Sequence, residues 1–172
     1  MKYDRTTVIL HWVIGLAIVG QFALGLLMQE VPKGGDGARA WWFNLHKSIG
    51  ITLGALVVFR LLWRLTHRAP SLPQVMPAWQ RNAAGFAHYG LYACMLALPA
   101  SGFLGSVFSG YRIRVFGLPL PQIGSAWPSA KHLMAAVHET AAWTFAVIVA
   151  VHIAASLWHL VRQDGVFRRM WV

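Results

Sequence analysis

The sequence predicts an all-α protein: an integral membrane four-helix bundle forming a single domain over residues 1–172. Composition, charge placement and span length carry that expectation. Hydrophobic residues make up 57% of the chain and charged residues 12%, well outside ordinary soluble usage. No Lys, Arg, Asp or Glu occurs within residues 6–29, 48–59, 82–111 or 140–161. A helix needs roughly 20 apolar residues to cross about 30 Å of hydrocarbon, and the second gap reaches that length once Arg60 and Arg64 snorkel to the interface.

The first helix is expected at residues 6–28, with Thr6 or Thr7 as N-cap, and it stops before the glycine-rich run Pro32-Lys33-Gly34-Gly35-Asp36-Gly37. It outruns a signal-peptide core and lacks a small-residue cleavage site, so it reads as a retained helix with the mature chain beginning near Met1. The second is expected at 45–65, ended by Pro70 and Pro73. The third, at 82–108, contains Pro99, Gly102 and Gly105, which should kink or loosen its outer half. The fourth, at 129–162, is ended by Gly165. The connection 109–129, with Pro119, Pro121 and Pro128, reads as an ordered lid. These elements leave no room among them for a separate soluble catalytic domain.

A net charge of +10 could indicate nucleic acid, but the basic residues lie between spans and not on one soluble face, so no nucleic acid is expected. With four spans, the side holding both termini carries nine basic residues: Lys2, Arg5, Arg60, Arg64, Arg68, Arg81, Arg162, Arg168 and Arg169. The other side carries six: Lys33, Arg39, Lys47, Arg112, Arg114 and Lys131. The positive-inside rule then places both termini on the cytoplasmic side. A lone Cys94 excludes an intramolecular disulfide and a thiolate metal cluster.

Polar side chains are costly in hydrocarbon, which makes an intramembrane histidine a functional hypothesis. His11 starts the outward first helix and lies near the inner face. His46 starts the inward second helix and His138 lies early in the fourth, both near the outer face. His152 follows His138 by 14 residues, about 21 Å along the axis and roughly 40° around it, so both imidazoles leave the helix from one face at two depths. His46 with His138 can clamp an outer b haem, and His11 with His152 an inner one. Bis-histidine ligation leaves no open iron position, so such haems move single electrons. Zinc fits poorly, because the ligands form two separated pairs. Gly15, Gly50, Gly54, Ala142 and Ser156 follow the ligands at helical spacing and could leave room for a flat macrocycle; alternatively they allow close helix packing. His88 could replace His11, bond a haem propionate, touch quinone or be structural. His159, nearer the inner interface, could deliver a proton to quinone or simply meet water. His67 and His132 read as solvated, most tryptophans as an interfacial belt, and Trp12 as a candidate border of a quinone site.

The chain resembles the prokaryotic cytochrome b561 family, which is similar in turn to dihaem b subunits of hydrogenases and formate dehydrogenases. The matching stretches are Ile9-Leu10-His11-Trp12, Leu45-His46-Lys47-Ser48-Ile49-Gly50, Phe59-Arg60-Leu61-Leu62-Trp63-Arg64, Ala87-His88-Tyr89-Gly90-Leu91-Tyr92, Leu98-Pro99-Ala100-Ser101-Gly102, Phe116-Gly117-Leu118, Val137-His138-Glu139-Thr140, His152-Ile153-Ala154-Ala155 and the tail from Asp164 to Met170. The resemblance gives His11, His46, His138 and His152 the four axial roles and implies ubiquinone as electron partner.

Small stand-alone members of this type act as superoxide oxidases, which implies superoxide oxidation at the outer face and ubiquinone reduction near the inner haem. Lys47, Arg112, Arg114 and Lys131 would steer the anion, an effect that salt weakens. Stop-transfer and headgroup charge is the competing explanation for these residues. The second functional expectation is a non-catalytic electron-transfer subunit linking quinone to a periplasmic redox protein or a hydrogenase-like partner.

Overall fold

The computed structural model describes residues 3–34, 37–67, 70 and 76–171. Met1, Lys2, Gly35, Asp36, Arg68 and Pro73, which entered the chain-start, charge and boundary arguments, lie outside the described residues. Four helices, α1 (Arg5–Glu30), α2 (Ala38–Thr66), α3 (Ala78–Val107) and α4 (Pro128–Arg162), are each long and apolar enough to cross a bilayer, with mean hydropathy between 1.5 and 2.0. Helices satisfy their own backbone groups, which hydrocarbon demands. Leu16, Leu65, Phe86, Val147 and Val161 are exposed along them, apolar side chains that lipid covers. The protein is an integral membrane protein.

The helix ends differ from the sequence expectation for local reasons. The cap of α1 is Asp4, not Thr6 or Thr7: its carboxylate accepts from the Thr7 backbone N–H at 2.9 Å and from the Thr7 hydroxyl at 2.5 Å. A carboxylate at the positive helix end accepts better than a hydroxyl. The second helix starts at Ala38, well ahead of residue 45, because Gly37 at φ +75° turns the chain directly into it. Arg39 on its first turn then donates to the Gln29 carbonyl at 3.0 Å and to the Val31 carbonyl, satisfying acceptors left open at the end of α1. A residue that read as a flanking charge is thus a helix cap. Similarly, α3 starts at Ala78 directly after Pro77, ahead of residue 82, and Pro128 opens α4 where a missing N–H costs nothing.

Successive helices pack side by side, with α4 lying along α3 while its backbone stands apart from α1 and α2. At mid-depth Ile14, Val57, Cys94, Met95 and Phe145 close the bundle, with every helix contributing. Phe145 lies midway between His138 and His152 on α4, so this apolar layer separates two polar levels.

At one end, a 3-10 helix (Phe167–Met170) folds back beneath the bundle. Its Arg169, 8% exposed, donates to the Pro70 carbonyl at 2.8 Å and lies over the Tyr3 ring. Both chain ends and the segment after α2 therefore meet at the same end. At the other, strands β1 (Arg114–Val115) and β2 (Leu118–Pro119) form a hairpin. Its turn puts Phe116 at φ +48° and Gly117 at φ +86°, both in the left-handed region that two-residue hairpin turns require. Ser48, 1% exposed, ties this hairpin to α2: it donates to the Asn44 carbonyl at 2.7 Å and accepts from the Phe116 N–H at 2.9 Å.

Candidate functional site

Of the seven histidines within the helices, four (His11, His46, His138 and His152) meet across the gap between α4 and the α1/α2 pair. At the hairpin end, the His46 and His138 rings have centres 6.3 Å apart. Two imidazoles bound to opposite sides of one metal, with bonds of about 2.0–2.1 Å, place their centres about 6 Å apart. The His138 Nδ1 lies 2.9 Å from the Leu98 carbonyl and 3.2 Å from the Ser101 hydroxyl, which itself donates to the Ala97 carbonyl at 2.6 Å. A carbonyl can only accept, so His138 carries its proton on Nδ1 and presents the Nε2 lone pair.

Close helix approach makes room for both rings. A Cβ on Gly102 would lie 3.2 Å from His138 Cε1, and one on Gly25 would lie 3.2 Å from His46 Cε1. These two glycines admit the imidazoles. A Cβ on Gly50 would instead lie 3.2 Å from the Gln21 amide nitrogen and one on Gly54 2.8 Å from Pro99 Cβ, so both serve close helix packing. Gly15 meets nothing within 4 Å. The neutral nitrogen donors, their spacing and the fixed tautomer of His138 fit axial ligation of a b haem.

At the opposite end three imidazoles meet. His152 lies 6.1 Å from His11 and 5.8 Å from His88, ring centre to ring centre. The Arg60 guanidinium, also above the Tyr92 ring, approaches His11 Nδ1 at 3.3 Å. Since arginine only donates, this contact makes Nδ1 an acceptor and puts the His11 proton on Nε2. His88 projects from α3 into the same cluster, beside the His152 ring. Geometry thus brings His88 to the same place as His11, and ligation by His11 requires Arg60 to release Nδ1.

Beyond this cluster His159 Nδ1 sits 2.5 Å from Asp164 Oδ2. Partial burial alone would raise the Asp164 pKa, but the His159 hydrogen bond and the Val166 N–H outweigh it and hold the carboxyl below its usual 3.8. Trp12 donates to the Met170 carbonyl at 2.8 Å, joining α1 to the C-terminal segment. His67 is exposed and stacks on Trp63, and His132 is exposed.

Of the four candidate steering cations, Lys47 is half-buried beside His46 and within electrostatic reach of Lys131. Arg112 and Arg114 are exposed on the connection that carries the hairpin, and the Arg114 carbonyl lies 3.5 Å from the Ser48 hydroxyl. All four therefore share the His46 end. Sequence reasoning did not single out Gln21, Gly25 or Arg60 as site residues; it took Ser48 and Ser101 only as parts of matching stretches, and Gly102 as part of one and as a loosening point of α3. Gln21 had a signal, as the one amide within residues 6–28; Gly25 and the acceptor at Leu98 had none, because backbone proximity between helices leaves no local pattern.

A family model described as prokaryotic cytochrome b561 matches residues 2–172. Cytochrome b561 homolog 2 of Escherichia coli (strain K12) is 33% identical over 98% of this chain and 90% of its own length. Cytochrome b561 homolog 1 of the same organism is 29% identical over 98% of this chain and 96% of its own. A Yersinia pestis protein named "Probable superoxide oxidase CybB" is 27% identical, with 98% and 95% covered. The family is one of haem-bearing membrane electron carriers. With its matching residues running from one end to the other and four membrane-crossing helices, the chain belongs to the prokaryotic cytochrome b561 family.

Proposed function

We propose that this protein oxidises superoxide at the outer face of a bacterial inner membrane and reduces ubiquinone at the inner face, acting as one domain over residues 1–172. The observation that carries the reading is the pair of imidazole clusters on α4, one at each end of the bundle, separated by the Phe145 layer. When bound, two b haems would supply one-electron carriers between the faces, so that two superoxide ions become two molecules of O2 while one ubiquinone takes two electrons and two protons.

The chain's own residues do the rest. His46 and His138 hold the outer group, and His152 with His11 the inner one, with His88 packed beside the inner pair. Lys47, Arg112, Arg114 and Lys131 gather positive charge at the His46 end, where a small anion arrives. His159, oriented by Asp164, holds a proton at the inner end for the quinone. Both termini face the cytoplasm, as the basic Arg5, Arg64, Arg81 and Arg162 near their end favour. The superoxide substrate draws further support from the relative named as a probable superoxide oxidase.

The test is rapid mixing of oxidised, purified protein with superoxide while following haem absorbance, with and without ubiquinone. Fast reduction followed by reoxidation that depends on ubiquinone is expected. Absence of fast reduction overturns the oxidase reading and favours an electron-transfer subunit with a soluble periplasmic donor.

A further inference from the structure

Two buried side-chain polar atoms lack a hydrogen-bond partner among the described residues: Gln21 Oε1 and His46 Nδ1. One is an acceptor and the other, in a metal-binding imidazole, a donor. They belong to the same helix contact. The Gln21 amide donates through Nε2 to the His46 carbonyl at 2.7 Å. Gly25, one turn further along the same face of α1, comes so close that its Cβ would lie 3.7 Å from His46 Nδ1. The unpaired nitrogen of His46 therefore looks at the strip of α1 on which the Gln21 amide is anchored. Both atoms are closed to water, so each either satisfies the other or stays unpaired, and an unpaired buried polar group is the costlier state.

We propose that Gln21 is a positioning residue for His46: its Oε1 accepts from the Nδ1–H when His46 binds iron, which keeps the Nε2 lone pair on the metal side. The inference rests on His46 being an axial ligand. Leu98 and Ser101 of α3 do this for His138, and Gln21 of α1 does it for His46, so the two ligands of one iron are oriented by two different helices. The second hydrogen bond of Gln21, to the His46 carbonyl, holds the amide in place for this task.

Hydrogen bonding to Nδ1–H makes an imidazole a stronger electron donor to its metal. Losing the acceptor should therefore favour ferrous iron and raise the midpoint potential of the outer haem. Gln21→Met keeps the length and removes the acceptor. It should shift the ferric-to-ferrous equilibrium of the outer haem about tenfold, or about 59 mV for one electron, while the inner potential stays where it is. Gln21→Leu serves as a second apolar variant with the same expected direction. Gln21→Glu retains an acceptor oxygen and should leave the potential unchanged or lower it.

The measurements are a redox titration of the purified holoprotein and the low-temperature EPR spectrum of each variant, with His46→Ala as control. Equal potentials in wild type, Gln21→Met and Gln21→Leu, or an equal rise in Gln21→Glu, would show that Gln21 is only a staple between helices. Retention of both haems by His46→Ala would instead remove the ligand assignment beneath the proposal, an outcome that haem content reports separately.

Discussion

The two ends of the bundle solve the same problem differently. At the hairpin end, the outer end in the proposed orientation, two imidazoles face each other across the gap, and the second nitrogen of His138 is already committed to a carbonyl. At the inner end, three imidazoles and a guanidinium share the space, and the hydrogen bond that His11 makes gives it the tautomer opposite to that of His138. The outer end is built like a fixed socket. Its counterpart holds a surplus of donors and a permanent charge, features that suit a place where protons as well as electrons must move.

The largest expected effect tests whether each end holds its own group. His138→Ala should lose the outer haem and keep the inner one, and His152→Ala should do the reverse. Haem content by pyridine haemochrome, halved in each variant, is the check. Retention of both haems in either variant would dissolve the two-site comparison.

Next comes the surplus at the inner end. His11→Ala should lose the inner haem, while His88→Ala should retain it with an altered EPR spectrum, because His88 touches His152 without holding the iron. The opposite result would hand the ligand role to His88, for which its ring centre 5.8 Å from that of His152 is the structural argument. Arg60 would then be the residue that keeps His11 out of the coordination sphere.

A third effect belongs to the outer end alone. Arg112→Glu combined with Arg114→Glu should slow the reaction with superoxide roughly tenfold at low salt and flatten its dependence on ionic strength, since steered association scales with local charge and is screened. Stopped-flow rates at several salt concentrations decide this. An unchanged rate would leave Lys47 and Lys131 as the whole of the attracting field, or none of the four.

Much of this comparison is legible in the sequence, and the part that is not has a common cause. Charge-free gaps reveal four spans because hydrocarbon punishes charge along a whole helix. The 14-residue spacing of His138 and His152 announces two levels because helical geometry is local. What the sequence does not show is which atoms of other helices complete each imidazole. Leu98 contributes a backbone carbonyl, Gly25 and Gly102 contribute the lack of a side chain, and Arg60 reaches His11 from α2. Each depends on how helices distant in sequence cross, and no periodicity records that. Gly50 and Gly54 show the converse: correctly spaced small residues after a ligand turn out to pack against Gln21 and Pro99.

The smallest effect concerns how the inner end is anchored. Asp4 caps α1, two turns before His11, and also accepts from the Trp63 indole of α2 at 3.3 Å. Partial burial alone would raise the pKa of Asp4, but hydrogen bonds from the Thr7 side chain, the Thr7 backbone and Trp63 outweigh it and hold the carboxyl below its usual 3.8. A depressed carboxyl pKa means stabilisation that is present above the unfolded value, near pH 3.8, and is lost as pH falls through the folded value. Asp4→Ala should cost about 1 kcal/mol, as loss of an N-cap does, and Asp4→Asn less, because the amide oxygen can still cap. Thermal release of the inner haem, followed at pH 7 and again near pH 3, should show the alanine variant melting below wild type at pH 7 and the difference narrowing in acid. A difference that stayed constant with pH would mean that the cap acts through shape alone, and that the charge on Asp4 contributes nothing to holding α1 against α2 beneath His11 and Arg60.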